Sequence, residues 1–115
     1  MALSPSLAAA LATVDKHGPL TPSELAEREQ VQRPTATRIV GRLGDAGLVE
    51  RTADPADGRV SLVSATPKGR ALLRRLRVRK NAYLARRLRD LEPSEVATLD
   101  RAAEILERLL ERDSA

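Results

Sequence analysis

No cysteine occurs in this chain, which rules out disulfides, thiol nucleophiles, thiolate metal sites and cysteine-based redox sensing. Histidine is nearly as scarce: the lone His17 cannot supply a histidine-rich metal site and argues against a Ser-His-Asp triad. Tryptophan and phenylalanine are absent and Tyr83 is the only aromatic residue, so the core has to be aliphatic. The stock of Leu and Ala that fills the gap favours packed helices. No glycine-rich phosphate loop is present, and the carboxylate pairs are accounted for by helix caps and helix surfaces. The chain is therefore not expected to be an enzyme, and neither cofactor nor metal is expected. No apolar run approaches the roughly 20 residues that span a bilayer. The Ala/Leu stretch from Met1 to Val14 has no basic segment before it and is followed by Asp15-Lys16, so it reads as an amphipathic, buried helix rather than a signal peptide. No membrane association is expected, and the location is expected to be cytoplasmic.

The 115 residues suit one domain that buries about two-thirds of the surface its unfolded form exposes. Net charge is +4, and 17 of the 20 basic residues are Arg. A small positive balance points only weakly to an anionic partner; its distribution says more. Lys68 to Arg89 holds ten Lys and Arg and no Asp or Glu, whereas Glu92 to Ala115 is net acidic.

Helix punctuation is clear. Ser4-Pro5 is an N-cap followed by Pro at the first helical position, with Leu7, Leu11 and Val14 at helical spacing and His17-Gly18-Pro19 as the stop. Thr21-Pro22-Ser23-Glu24 is a capping box that opens a short helix to about Arg28, Leu25 and Ala26 facing inward. After Glu29 to Gln32 a third helix begins near Arg33-Pro34. Its Ala36, Ile39, Val40 and Leu43 share one face, Arg38 lies opposite, Thr37 and Arg42 flank it, and Gly47 ends it at C′. Leu48 to Thr52 and Val60 to Ala65 read as two strands around the turn-rich Ala53 to Gly58. Thr66-Pro67 caps a long helix to about Asp90, with Leu72, Leu73, Leu76 and Leu84 inward, and Glu92-Pro93-Ser94 starts a last helix to about Arg112. The order predicts a mainly α fold with a small β-hairpin wing: a winged helix-turn-helix followed by two C-terminal helices. Residues 1–66 form the first region and 67–115 the second, within a single structural domain.

The last helix carries Val96, Leu99, Ala103, Leu106 and Leu110 on one stripe with Leu109 adjoining, more apolar face than one neighbour covers. A dimer seam is the reading; simple packing on the long helix is the alternative.

Five stretches then carry a resemblance: Gly18-Pro-Leu-Thr-Pro-Ser-Glu-Leu-Ala-Glu, Arg33-Pro-Thr-Ala-Thr-Arg-Ile-Val, Leu43-Gly-Asp-Ala-Gly-Leu-Val-Glu-Arg, Asp54-Pro-Ala-Asp-Gly-Arg and Thr66-Pro-Lys-Gly. Each alone is a winged-helix cue; in this order and at these gaps the sequence resembles the MarR family from Leu3 to about Leu110. The family usually has a further helix ahead of the one that starts here at Ser4, and it packs with the last two helices in the dimerisation region. The sequence resembles the family from its second helix onward.

The resemblance implies a transcriptional regulator, located with the nucleoid, that reads double-stranded DNA as a homodimer. Its third helix would enter the major groove. Gln32, Arg33 and Pro34 stand at the end that directs N–H groups at phosphate; Arg38 and Arg42 could fork to guanine or clamp phosphate, and Thr35 and Thr37 could bond phosphate or touch a thymine methyl. An ordinary solvated helix face is the alternative. Asp57-Gly58-Arg59 matches the family's wing-tip pattern, in which the Asp orients an Arg that enters the minor groove; a plain Asp-Gly turn beside a surface Arg is the alternative. Lys68 is a further candidate for phosphate contact, as is Arg70, while most of the remaining basic run reads as solvated or paired with the acidic last helix. A small-molecule effector of unknown identity belongs to the same expectation. His17 reads as a helix-terminal cap and Tyr83 as a packing residue rather than as effector ligands. Two further readings remain open: a winged-helix module that binds protein, and a DNA-binding protein without operator preference.

Overall fold

The computed structural model describes residues 3–113; Met1, Ala2, Ser114 and Ala115, which end the expected regions 1–66 and 67–115, lie outside them. Five helices and one hairpin follow in the order α1 (Pro5–His17), α2 (Pro22–Glu29), α3 (Arg33–Asp45), β1 (Val49–Ala53), β2 (Ser61–Ala65), α4 (Pro67–Leu88) and α5 (Pro93–Asp113). This is the mainly α, winged helix-turn-helix arrangement that the punctuation implies. The chain forms two compact units, one through Arg77 and one from Val78 onward. The division falls inside α4 because Gly69 and Leu73, in its first turns, are buried in the first unit.

Local chemistry sets the helix ends in the first unit. The Ser4 hydroxyl accepts the Leu7 N–H at 3.2 Å, and Gly18 N–H closes α1 on the Val14 carbonyl at 2.7 Å. Thr21 Oγ1 accepts the Glu24 N–H and donates to the Glu24 carboxylate, both at 3.1 Å. Gln30 stops α2 with a left-handed backbone at φ 55°, unusual for a residue with a Cβ. α3 ends at Ala46 with Gly47 at φ 74°. Gly47 N–H bonds the Gly44 carbonyl and Leu48 N–H the Leu43 carbonyl, each at 2.9 Å, which is the Schellman arrangement.

That arrangement moves the strand start. Leu48, expected in the first strand, has its N–H committed to the helix cap, so β1 begins one residue later. The strands are antiparallel, with Val49 opposite Ala65 and Ala53 opposite Ser61. Val60 lies outside β2, its N–H spent on the Asp57 carbonyl at 3.0 Å within the turn. Leu20 adds one bridge to β2, exchanging N–H···O bonds of 3.0 and 2.7 Å with Val63.

The core is aliphatic, as the missing aromatics require: Leu11, Val14, Leu20, Leu25, Val40, Leu43, Leu48 and Val63 meet from α1, α2, α3 and the hairpin. No polar or charged residue among the described ones is buried. Gly69 is the tightest point. A Cβ there would run into the Leu48 carbonyl and stand 3.3 Å from Leu11 Cδ1. Alanine normally raises helix stability over glycine by roughly 1 kcal/mol. At this position overpacking reverses the sign, and Gly69→Ala is expected to lower unfolding free energy by about 1–3 kcal/mol in urea titration. A neutral or stabilising result would show that α4 can lift away from Leu48.

In the second unit Glu92 caps α5: its N–H bonds the Glu95 carboxylate at 2.9 Å, and its carbonyl accepts from Glu95 N–H at 2.9 Å. From Val78 to Glu111 every side chain is exposed except Leu91 and Val96, which are half-buried. Leu84 departs from expectation here, lying exposed instead of inward, because nothing within its unit covers it. Tyr83 is exposed too, with the Arg87 guanidinium 5.1 Å from its ring centre, a cation–π contact on the helix surface.

Candidate nucleic-acid interface

The first unit presents α3 and the hairpin tip. Burial of Ala36, Val40 and Leu43 turns the opposite side of α3 outward, so Arg33, Pro34, Thr37, Arg38 and Arg42 are all exposed and Thr35 is half-buried. Arg38 Nη2 donates to Thr35 Oγ1 at 3.3 Å, which lays the guanidinium back along the helix toward its N-terminus. That end differs from those of α1 and α2. Gln32 occupies the N-cap position but its side chain makes no capping bond, and Pro34 brings no N–H of its own. The remaining first-turn N–H groups face outward at the positive end of the helix dipole.

Two glycines on α3 escaped the sequence reading. A Cβ added at Gly41 or Gly44 would meet nothing of this chain within 4 Å, so no internal packing asks for glycine at either position. The signal was available as a helix-interior glycine, each of which lowers helix stability by roughly 1 kcal/mol relative to alanine.

The wing tip is ordered by its own side chains. Asp54 Oδ1 accepts Ala56 N–H at 2.8 Å and opens the turn. Asp57 Oδ1 accepts both the backbone N–H of Arg59 and its Nε, each at 3.1 Å, while Nη2 approaches Oδ2 at 3.4 Å. The Arg59 side chain nevertheless remains 91% exposed. Arg59 holds the Asp57 carboxyl below the usual carboxylate range, first through the side-chain bond and then through the backbone bond. The pairing is accordingly present at neutral pH and is lost only as pH falls through that lowered value.

Lys68 is not left free at the surface: Nζ donates to the Ala46 carbonyl at 2.9 Å, at the end of α3. Arg70 Nη1 likewise donates to the Ala65 carbonyl at 2.8 Å. Elsewhere in the basic run, Arg77 lies 4.0 Å from Asp15 of α1. Among the described residues of the second unit no arginine of α4 forms an ion pair with α5, whose one pair is internal, Arg101 with Glu104 at 3.1 Å. Of the apolar candidates on α5, Val96 is half-buried, and Leu99, Ala103, Leu106, Leu109 and Leu110 are exposed, as is Ile105, which sequence reasoning missed.

Between the start of α1 and the side of α3 lies a cleft of about 350 Å³, lined by Ser6, Leu7, Thr35, Arg38, Ile39 and Arg42 among others. His17, in the last turn of α1, does not border it. Its pKa is lowered, first by desolvation and then by the charges of Arg28 and Lys16. No group of three or more His, Asp or Glu among the described residues is arranged to hold a metal ion.

Both the sequence and the fold have known relatives. A sequence model of the MarR family matches residues 3–61. An HTH-type transcriptional regulator from Mycobacterium tuberculosis is 38% identical over 109 residues, which is 95% of this chain and 76% of that protein. The crystal structure of YusO from Bacillus subtilis is similar at a TM-score of 0.78 and 32% identity, covering 95% of this chain and 75% of that one. FabT of Streptococcus pneumoniae, crystallised in complex with DNA, shares the fold at a TM-score of 0.75 and 24% identity over 96% of this chain and 77% of its own.

Proposed function

Since the chain belongs to the MarR family of helix-turn-helix transcriptional regulators, we propose that it reads a pseudo-palindromic operator as a homodimer, with α3 in the major groove and the wing in the minor groove. The observation that carries this reading is the wing tip: a guanidinium gripped by the neighbouring Asp57 and yet almost fully exposed. A surface arginine with only stability to serve gains little from an exposed pair. An arginine that must enter a narrow A/T-rich groove gains from being held in place beforehand, and the negative potential there attracts it.

The exposed face of α3 supports the rest. Thr37, Arg38 and Arg42 project from a helix that fits a groove roughly 12 Å wide, and the uncapped end at Gln32, Arg33 and Pro34 suits a phosphate. On α5 the exposed Leu99, Leu106, Leu109 and Leu110, with Ala103 and the half-buried Val96, supply the seam between copies. Two recognition helices would then lie about 34 Å apart, one turn of DNA. A small-molecule effector would act by preferring one spacing of the two helices over another. The cleft beside α3 is its candidate seat, about 350 Å³ in volume and bordered by Arg38 and Arg42. No helix among the described residues is long and apolar enough to cross a membrane. A regulator that reads an operator would act with the nucleoid in the cytoplasm.

Fluorescence anisotropy at ~150 mM salt tests the reading, comparing DNA from immediately upstream of the protein's own gene with a scrambled duplex of equal length. A preference of about 10³-fold or more is the range of specific recognition. Equal, weak binding to both duplexes would overturn the operator reading. In the same assay Arg59→Ala is expected to weaken operator binding by about 1–3 kcal/mol. Unchanged affinity in a folded Arg59→Ala protein removes the wing from the interface.

A further inference from the structure

Lys68 and Thr66 form a latch across the chain that neither a basic residue near DNA nor an ordinary helix cap accounts for. Thr66 Oγ1 accepts the Gly69 N–H at 3.1 Å, as an N-cap should, and also donates to the Gly47 carbonyl at 2.6 Å. Thr66 N–H reaches the Leu48 carbonyl at 3.0 Å. Two residues on, Lys68 Nζ donates to the Ala46 carbonyl at 2.9 Å. Three consecutive carbonyls at the end of the recognition helix, those of Ala46, Gly47 and Leu48, are thus taken by the first turn of α4. The Lys68 stem reaches them across Gly47: its Cδ and Nζ lie 3.7 and 3.8 Å from where a Cβ on that residue would stand. The ammonium therefore lies against the negative end of the α3 dipole, supplied by a different helix.

We propose that Lys68 is a positioning residue, which holds the C-terminal end of α3 against α4 and so sets the angle at which α3 meets DNA, and does not serve as a phosphate contact. The proposal rests on the operator reading for its functional consequence. Its structural content stands on these bonds alone. With Thr66, Lys68 makes the start of α4 the reference against which the recognition helix is held.

A salt titration separates the two roles. A lysine on a phosphate adds to counterion release, so removing it lowers the salt slope of binding by about one and weakens every duplex alike. A positioning lysine has no phosphate to give up. Lys68→Gln, studied at a temperature where it is fully folded, is expected to lose operator affinity about tenfold, the scale of one lost charge-assisted hydrogen bond. The salt slope is expected to stay at the wild-type value and scrambled-duplex affinity to stay unchanged. Lys68→Arg, which keeps a cationic donor, restores operator affinity. Amide hydrogen exchange in the DNA-free protein gives an independent readout: exchange at Gly47 and Leu48 quickens in Lys68→Gln and not in Lys68→Arg. Thr66→Ser, which keeps the hydroxyl, leaves it unaltered. A uniform loss on both duplexes with a reduced slope, or unchanged exchange in Lys68→Gln, overturns the proposal. A wild-type chain without operator preference refutes the operator reading instead, and the exchange measurement then decides this one.

Discussion

Leu106→Glu combined with Leu109→Glu is expected to reduce operator affinity about a thousandfold, the gap between specific and non-specific binding, while leaving the first unit folded. The two leucines are 59% and 53% exposed, on a helix of the second unit. Glutamate is as good a helix former as leucine, so α5 loses apolar surface without losing its backbone preference. Each leucine withdrawn from a fully buried seam removes about 1.5–3 kcal/mol of burial, and the introduced carboxylates lie on a segment that is already acidic. A homodimer dissociates under that load, and a monomer meets only one half-site. Sedimentation equilibrium and anisotropy on one preparation check both halves of the expectation. A double variant that stays dimeric excludes α5 as the seam; one that becomes monomeric yet binds the operator undiminished excludes the need for a dimer.

Leu11→Ala is expected to lower the free energy of unfolding by about 2–5 kcal/mol, a large share of the roughly 5–15 kcal/mol typical of a domain. Leu11 is fully buried in the first unit, and its Cδ1 is one of the atoms pressed against Gly69. The residues around it are Leu, Val and Ala, with no ring or long methionine to swing into the vacancy. On one side the wall is backbone, the close approach of Gly69 to Leu48, which cannot collapse inward without moving α4. A urea midpoint measures the loss, and a change below about 1 kcal/mol would show that the site relaxes far more than its packing implies. DNA binding well below the midpoint should be little altered, because Leu11 reaches neither α3's outer face nor the wing.

Element order was readable because most helix ends announce themselves within four residues. Ser4, Thr21 and Gly47 each act through bonds to near neighbours in sequence, so their roles survive without any knowledge of tertiary structure. Asp57 and Arg59 are equally local, and their pairing needs only the turn that contains them. Where the determining contact is distant, the sequence is silent. Lys68 looks like any exposed lysine until the fold brings Ala46, 22 residues earlier, beneath it. Gln30 closes α2 in a left-handed conformation that sequence rules assign to Gly or Asn, held by bonds to Ala26 and Glu27. Leu48 pairs with a helix carbonyl instead of a strand, and a period-two pattern cannot distinguish the two. Leu84 satisfied the helical spacing of a core residue, but spacing marks only a face; it does not say which molecule covers that face.

The exposure of the second unit has a consequence for dosage. The end of α4 from Val78 and the helix α5 cover almost none of their own side chains, so they carry little cohesion as an isolated pair. If the covering surface is another copy of the chain, mass action enters twice, once in assembling the pair and again in filling the operator. In the dilute limit, halving the number of copies in a cell quarters the number of assembled pairs. Operator occupancy would then follow synthesis and dilution of the protein more steeply than in proportion, and growth rate alone could shift the regulated gene with no ligand present.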